Sequence, residues 1–392
     1  MKLSKLMLAM AVAASAFVAC NKQETTPVVN QVINKSVVLD IANALQTKTP
    51  GTTIADGAQV TLKDYQVFFA DAQGTLYTPK TVTAELNAET FFEAKNADTW
   101  GLVKQFHFLP TEVTKVIVVG NYGSKITAAD TDALTNAIEA LEIGSQQTAT
   151  NLRLYGIDES LVAVKGDEKN HEQDNTDPHP APRYEAVVNL TPTVARFEVS
   201  GFEYALEEGR EKREYVSMVV EQISVIDFYT EATVTYAGKV SAKTPYTFFQ
   251  SPTFVLDDDT IYPKYFNDPK LVPGWYLDVV GAELTGTTQD AKTWANTENL
   301  YAYHTFPTAV PTFVVKLTAT DENGIVSNLY LTTKRLVLDD EDKTELTETA
   351  DAKIYKMYFK FDDGDIRSAE KCINVTITVD SWDEVIVTPV FK

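Results

Sequence analysis

The feature that most constrains this chain is a series of short runs rich in Val, Ile, Tyr, Phe and Thr, separated by Gly, Pro, Asn and Asp. Apolar residues recurring every second position share one face of an extended strand, whereas a helix would need them every third or fourth. The runs are Ser36 to Ala42, Tyr65 to Ala70, Gln105 to Leu109, Lys115 to Gly120, Tyr184 to Leu190, Val194 to Ser200, Glu221 to Tyr229, Pro311 to Ala319, Ser327 to Thr333 and Lys353 to Phe361. Their length and composition predict a mainly β protein built from antiparallel sandwiches. One segment departs from the pattern: from Thr127 to Leu141, Leu134, Ile138 and Leu141 fall at helical spacing with Ala133 and Ala137. This predicts one amphipathic helix on the first sandwich, with Thr127 as its N-cap.

A chain of 392 residues, 44% of them hydrophobic, has material for more than one core. A charged, Pro-containing stretch from Gly166 to Arg183 reads as a surface loop, and a boundary is expected near Thr191. The expected division is a signal peptide (1–19), a propeptide holding the first strand (20–48), sandwich domains at 49–190 and 191–371, and a terminal segment at 372–392.

At the N-terminus, Lys2 and Lys5 precede an apolar stretch from Leu6 to Val18, and small residues lead to Cys20. At about 13 residues this stretch is too short to span a bilayer, which takes about 20, and it reads as a secretory signal. Cys20 directly after Ala19 makes it a lipoprotein signal, although Phe17 stands where Leu is usual. Lipid on Cys20 would turn a soluble secreted chain into a membrane-anchored one. Cys372 is the only other cysteine, so no disulfide forms within the mature chain.

The net charge of −21, from 34 basic and 55 acidic residues, repels a phosphate backbone and argues against nucleic-acid binding. Catalytic signatures are lacking: there is no phosphate-cradling Gly loop, no G-x-S-x-G and no H-E-x-x-H. His171, Glu172, Asp174, Asp177 and His179 could supply metal ligands, but their spacing matches no established zinc site. The acidic clusters at 257–259, 339–342 and 362–365 lack the EF-hand pattern and read as turns on an acidic surface. No enzyme activity, metal or cofactor is expected.

The two ends carry related patterns. Val37, Leu39 and Ile41 share one face of the first strand, and a polar stretch after it holds the exposed dipeptide Lys48-Thr49, a site suited to proteolysis. No Arg occurs before Arg153, so trypsin-like cleavage here must use a lysine. Near the other end, Ile373, Val375, Ile377 and Val379 alternate with polar residues; after Ser381 to Glu384 the parity resumes with Val385, Val387, Pro389 and Phe391. On pattern alone these are two final strands of the second sandwich.

The order of these features resembles the fimbrillins, the type V fimbrial subunits of Bacteroidales. The parallels are Ala19-Cys20-Asn21-Lys22, SVVLDI followed by a basic residue in a loop, KVIVVGNYG leading into the helix, TVARFEVSGF opening the second half, and VTITVDSWDEVIVTPVF with its single Trp. The resemblance implies two transthyretin-like antiparallel β-sandwiches, exported as a lipoprotein and matured by a trypsin-like protease that removes the first strand. It further implies that the vacated groove accepts the C-terminal strand of the next subunit, giving a head-to-tail homopolymer that supports adhesion. Carried over, Cys20 is the lipid site, Lys48-Thr49 the processed bond, and Val37, Leu39 and Ile41 the groove fillers. Ile373, Val375, Ile377, Val379, Val385, Val387 and Phe391 form the donor segment. Within it, Ile373 to Val379 could close its own domain, and Val385 to Phe391 is the preferred part for donation. Lys48 departs from the Arg specificity of the family's best-known processing enzyme. The implied location is the fimbrium, and the implied partners are other copies, minor tip and anchor subunits, the processing protease, and host or bacterial surface receptors. The alternatives are a tip or anchor component of the fimbria, or an anchored lipoprotein that binds a host protein or glycan through Trp275, Tyr276 or Trp294.

Overall fold

The computed structural model describes residues 34–41, 60, 62–79, 89–93, 103–148, 151–164, 182–246, 276–285, 291–295, 301–367 and 372–381. The first half supplies β1 (Asn34–Ile41), β2 (Asp64–Ala70), β3 (Leu76–Tyr77), β4 (Phe91–Glu93), β5 (Val103–Pro110), β6 (Lys115–Gly120), β7 (Ala140–Glu142), β8 (Leu154–Asp158), β9 (Val162–Ala163), β10 (Arg183–Val188) and β11 (Thr191–Pro192). The second supplies β12 (Ala195–Ala205), β13 (Tyr215–Ile226), β14 (Phe228–Val234), β15 (Val240–Tyr246), β16 (Leu277–Glu283), β17 (Ala291–Ala295), β18 (Tyr301–Thr305), β19 (Thr312–Asp321), β20 (Val326–Leu338), β21 (Lys353–Phe361) and β22 (Cys372–Ser381). Two α-helices occur among the described residues, α1 (Thr131–Ile138) and the short α2 (Asp363–Arg367). The fold is mainly β, as the alternating runs predict.

In the first half, one sheet has the order β5-β1-β10-β9 and a second the order β11-β8-β6-β2-β3, with β4 also on β2. Side chains from the two sheets meet between them: Phe69 on β2 lies edge-on to Phe106 on β5 at 4.9 Å, with both rings buried. In the second half, a long sheet runs β16-β13-β19-β20-β22-β21-β12-β17, with β18 also on β12. It wraps around its own core, so Phe197 on β12 meets Phe313 on β19 at 5.6 Å and Phe359 on β21 stacks on Phe202 at 4.8 Å.

Most ladders are antiparallel, as expected, but β1 with β10, β12 with β21, and β20 with β22 are parallel. Alternation marks which residues face the core and carries no information about strand direction, so these three escape a reading by period. The helix is also shorter than the periodicity predicts. Asp130, not Thr127, caps α1, its carboxylate accepting the Ala133 N–H at 2.7 Å. Leu134 and Ile138 are buried as expected, whereas Leu141 belongs to β7, whose backbone pairs with β14.

The pairing of β7 with β14 joins the halves through a small sheet of order β15-β14-β7. Beside it, the 3-10 turn Ile143–Gln146 and the residue after it reach β18. The Gln147 amide donates to the Tyr276 hydroxyl and the His304 carbonyl, each at 3.0 Å. His304 Nδ1 donates to the Gln146 carbonyl at 2.6 Å, and its Nε2 accepts from Arg196 at 3.0 Å, because a guanidinium can only donate. Burial, and secondarily the Arg196 charge, pushes the His304 imidazole down to about 3, so it is neutral in this contact.

Candidate functional site

The first strand is the point where fold and proposed chemistry meet. β1 lies inside its sheet, antiparallel to β5 on one side and parallel to β10 on the other. Its removal would leave two facing strand edges with unpaired backbone groups and an open core, a surface that demands another strand. Val37, Leu39 and Ile41 are fully buried and point into that core. Each aliphatic side chain so buried contributes about 1.5–3 kcal/mol relative to exposure.

The β5 wall is irregular. Phe106 and Leu109 are both buried, although three residues apart they would face opposite ways on a regular strand. The ladder to β1 shifts between Lys35 and Val37, and Phe108 takes the left-handed φ of 54°. This bulge restores the parity and places both side chains inward.

Polar groups on β1 are less well served. The Ser36 hydroxyl and Asp40 Oδ1 are buried without a hydrogen-bond partner. Lys35, by contrast, is buried at 5% exposure and held: its ammonium donates to the Val113 carbonyl and lies 4.7 Å from the centre of the Tyr184 ring. Burial lowers the Lys35 ammonium below its ordinary value, opposed by the nearby Glu112 carboxylate.

At the other end of the described chain, β22 also lies within a sheet, parallel to β20 and antiparallel to β21. Ile373, Val375 and Ile377 are buried in the second core, and the backbone of Val379 pairs with Tyr355. This is the local closing role that the cleaner alternation allowed. Cys20, Lys48, Thr49, Val385, Val387 and Phe391 lie outside the described residues.

The competing sites fare as follows. Tyr276 is buried, stacked on Phe228 at 4.1 Å, so it cannot offer a face to a sugar; Trp294 is half-buried against Phe202 at 5.9 Å. Trp275 and the cluster from His171 to His179 lie outside the described residues, as does 257–259. The other acidic clusters are spent on local structure. Asp340 accepts the Thr344 N–H at 2.9 Å, Asp339 pairs with Lys343 at 2.7 Å, and Asp362 accepts the Gly364 N–H at 2.7 Å. Asp363 is buried, accepting from the Tyr204 hydroxyl and from the Glu214 N–H at 2.8 Å. Among the described residues, no group of three or more His, Cys, Asp or Glu is placed to hold a metal ion.

Sequence reasoning missed the Lys35 contact and the junction built on Gln147 and His304. A lysine placed on the apolar parity of a strand was the available signal for the first; the second depends on residues far apart in the chain.

No family model and no curated protein matches the chain. Solved structures do. A candidate cell-adhesion protein from Bacteroides eggerthii aligns over 89% of this chain and 96% of its own, at TM-score 0.50 and 14% identity. One from Parabacteroides distasonis aligns over 91% of this chain and 99% of its own, at TM-score 0.51 and 12% identity. A fimbrilin from Porphyromonas gingivalis aligns over 91% and 99%, at TM-score 0.48 and 11% identity. The chain has the fold of the two candidate cell-adhesion proteins from Bacteroides eggerthii and Parabacteroides distasonis.

Proposed function

We propose that the chain is a structural subunit of a surface fimbria, exported as a lipoprotein on Cys20 and anchored at the outer membrane until maturation. Cleavage at Lys48-Thr49 frees β1, and the vacated groove takes the C-terminal segment of the next copy, residues within Ile373 to Phe391. The observation that carries this reading is the position of β1: a terminal strand inside a sheet, buried, and followed by a lysine in a polar stretch. Such a strand can be cut from the chain and replaced without rebuilding the rest of the sandwich. A contact that uses one end of a subunit and the other end of its neighbour does not close on itself, so it builds filaments. Partners are then other copies, minor tip and anchor subunits, the processing protease and surface receptors; the role is mechanical, with no catalysis or cofactor. A tip or anchor component is the second reading, and it needs only one of groove or donor.

Deletion of Trp382 to Lys392, which spares the buried strand β22, tests the proposal. Export should continue, and the ladders that assembled subunits give on unboiled gels should disappear, because subunits joined by a buried strand separate slowly. Ladders that persist would overturn donation by this segment. N-terminal sequencing of assembled subunits should begin at Thr49.

A further inference from the structure

A cleft of about 680 Å³ opens where the two halves meet. That volume lies among those of small-molecule sites, which are commonest where domains adjoin. Segments far apart in the chain bring polar side chains to it. Asn189 comes from the first half, Lys239 from the turn between β14 and β15, Thr308 from the loop before β19, and Glu348 and Asp351 from the loop before β21.

Three observations mark the cleft as a built site. First, its polar groups are uncommitted: the side chains of Asn189, Lys239, Thr308 and Glu348 make no hydrogen bond or ion pair within the chain, unlike the acidic turns at 339–342 and 362–365. Tyr355, buried and lining the same cleft, accepts the Ala350 N–H at 2.9 Å and keeps its own proton to donate. Second, one wall is held in strained backbone, with Thr308 at a φ of 86° and Ala352, next to Asp351, at 53°. Thr308 is pinned there: its N–H donates to the Thr349 carbonyl at 2.9 Å, and the Thr349 hydroxyl donates to the Ala309 carbonyl at 3.0 Å. Strain of this kind concentrates at ligand sites. Third, the opposite rim depends on Gly238, whose φ is 75° and where a Cβ would lie 2.9 Å from the Tyr155 Cβ. Glycine there lets the turn that carries Lys239 close on β8.

The lining selects the ligand. Two carboxylates against one ammonium disfavour a phosphate, a sulfate or an acidic sugar. The rings of Tyr155 and Tyr355 are buried, so no aromatic face is open to stack a planar ligand, and the apolar lining is aliphatic, from Ile157, Val240 and Pro307. Burial raises the Asp351 carboxyl above its ordinary value, opposed by its own N–H and by Lys353, so this acceptor is partly shielded from water and bonds to it are strengthened. A sugar ring suits such a mixture, because each hydroxyl both donates and accepts while the ring carbons present an aliphatic face.

We propose that the cleft binds a neutral oligosaccharide. Asp351 and Glu348 accept from its hydroxyls, Lys239, Asn189 and Tyr355 donate to its oxygens, and Ile157 and Pro307 pack on its C–H face. The cleft uses no residue of β1, β5 or β22, so it stands whether or not the strand exchange proposed above takes place.

Binding of the full chain to an array of neutral, sulfated and sialylated oligosaccharides tests the proposal, with oligolysine as a cationic peptide probe. Neutral glycans should bind and their acidic counterparts should not. Asp351→Asn and Asn189→Ala should each weaken that binding about tenfold, as expected for one lost hydrogen bond. Neither side chain is part of a core, so an unchanged melting temperature separates a lost contact from a lost fold. Binding to acidic glycans alone, to oligolysine alone or to no probe would overturn the proposal, as would neutral-glycan binding that both substitutions leave unchanged.

Discussion

At the residue scale, burial decides which side chains can be changed without consequence. Leu39 is fully buried among the fillers of the groove, and Leu39→Ala should cost the precursor about 2–5 kcal/mol, read as a lower denaturant midpoint. Ser36 lies in the same strand with an orphaned hydroxyl, so Ser36→Ala should be neutral or raise the midpoint. Thr308 offers a contrast: it is exposed, yet its φ of 86° is strained for a β-branched residue, so Thr308→Gly should stabilise by about 1 kcal/mol. His304 gives a pH signature. Its folded value of about 3 lies below the ordinary 6.5, so the unfolded chain binds a proton that the folded chain does not. The stability it contributes is complete above pH 6.5 and is lost as pH falls toward 3, at about 1.4 kcal/mol per unit. The difference in unfolding free energy between wild type and His304→Asn should therefore shrink with that slope as pH falls from 6.5 to 4.

At the scale of elements, legibility followed the range of the interactions. The first strand, β2, β6 and β21 were readable because period-two alternation and β-branched content are local properties, and the burial of Val37, Leu39, Ile41, Ile373, Val375 and Ile377 follows from the same period. The end of α1 was misread because Leu141 fits a helical face equally well; only its pairing with β14, from far along the chain, makes it a strand residue. Parallel ladders and the β5 bulge were hidden for the same reason, since direction and register depend on the partner strand. Lys35 precedes the alternating run that starts at Ser36, and its role follows only from the Tyr184 ring and Val113 carbonyl that surround it. That bulge yields its own expectation. Phe108→Gly should tolerate the left-handed φ and leave β1 in register, whereas deleting Phe108 should shift the parity of the wall and turn Leu109 outward. Altered protection of the Val37 to Ile41 amides in hydrogen exchange would register the second change and not the first.

At the scale of the whole molecule, the proposed maturation makes covalent continuity the factor that holds β1 in its sheet. While β1 is tethered through the residues that follow Ile41, its release and return are intramolecular, and its effective concentration in the groove is high. A cut at Lys48 changes none of its contacts but converts its loss into a dissociation that dilution favours. The junction of β7 with β14 and of Gln147 with His304 is untouched by such a cut, so the two halves stay joined while the first core becomes vulnerable. Nicked and intact chains should therefore behave alike at high protein concentration. On serial dilution, the melting temperature of the nicked chain should fall, while that of the intact chain stays constant. Adding a peptide of residues 34–41 should restore the nicked chain, because it supplies the same strand to the same edges. A melting temperature independent of dilution in the nicked chain would mean that β1 does not leave on cleavage, and that some further event must pull it from the groove.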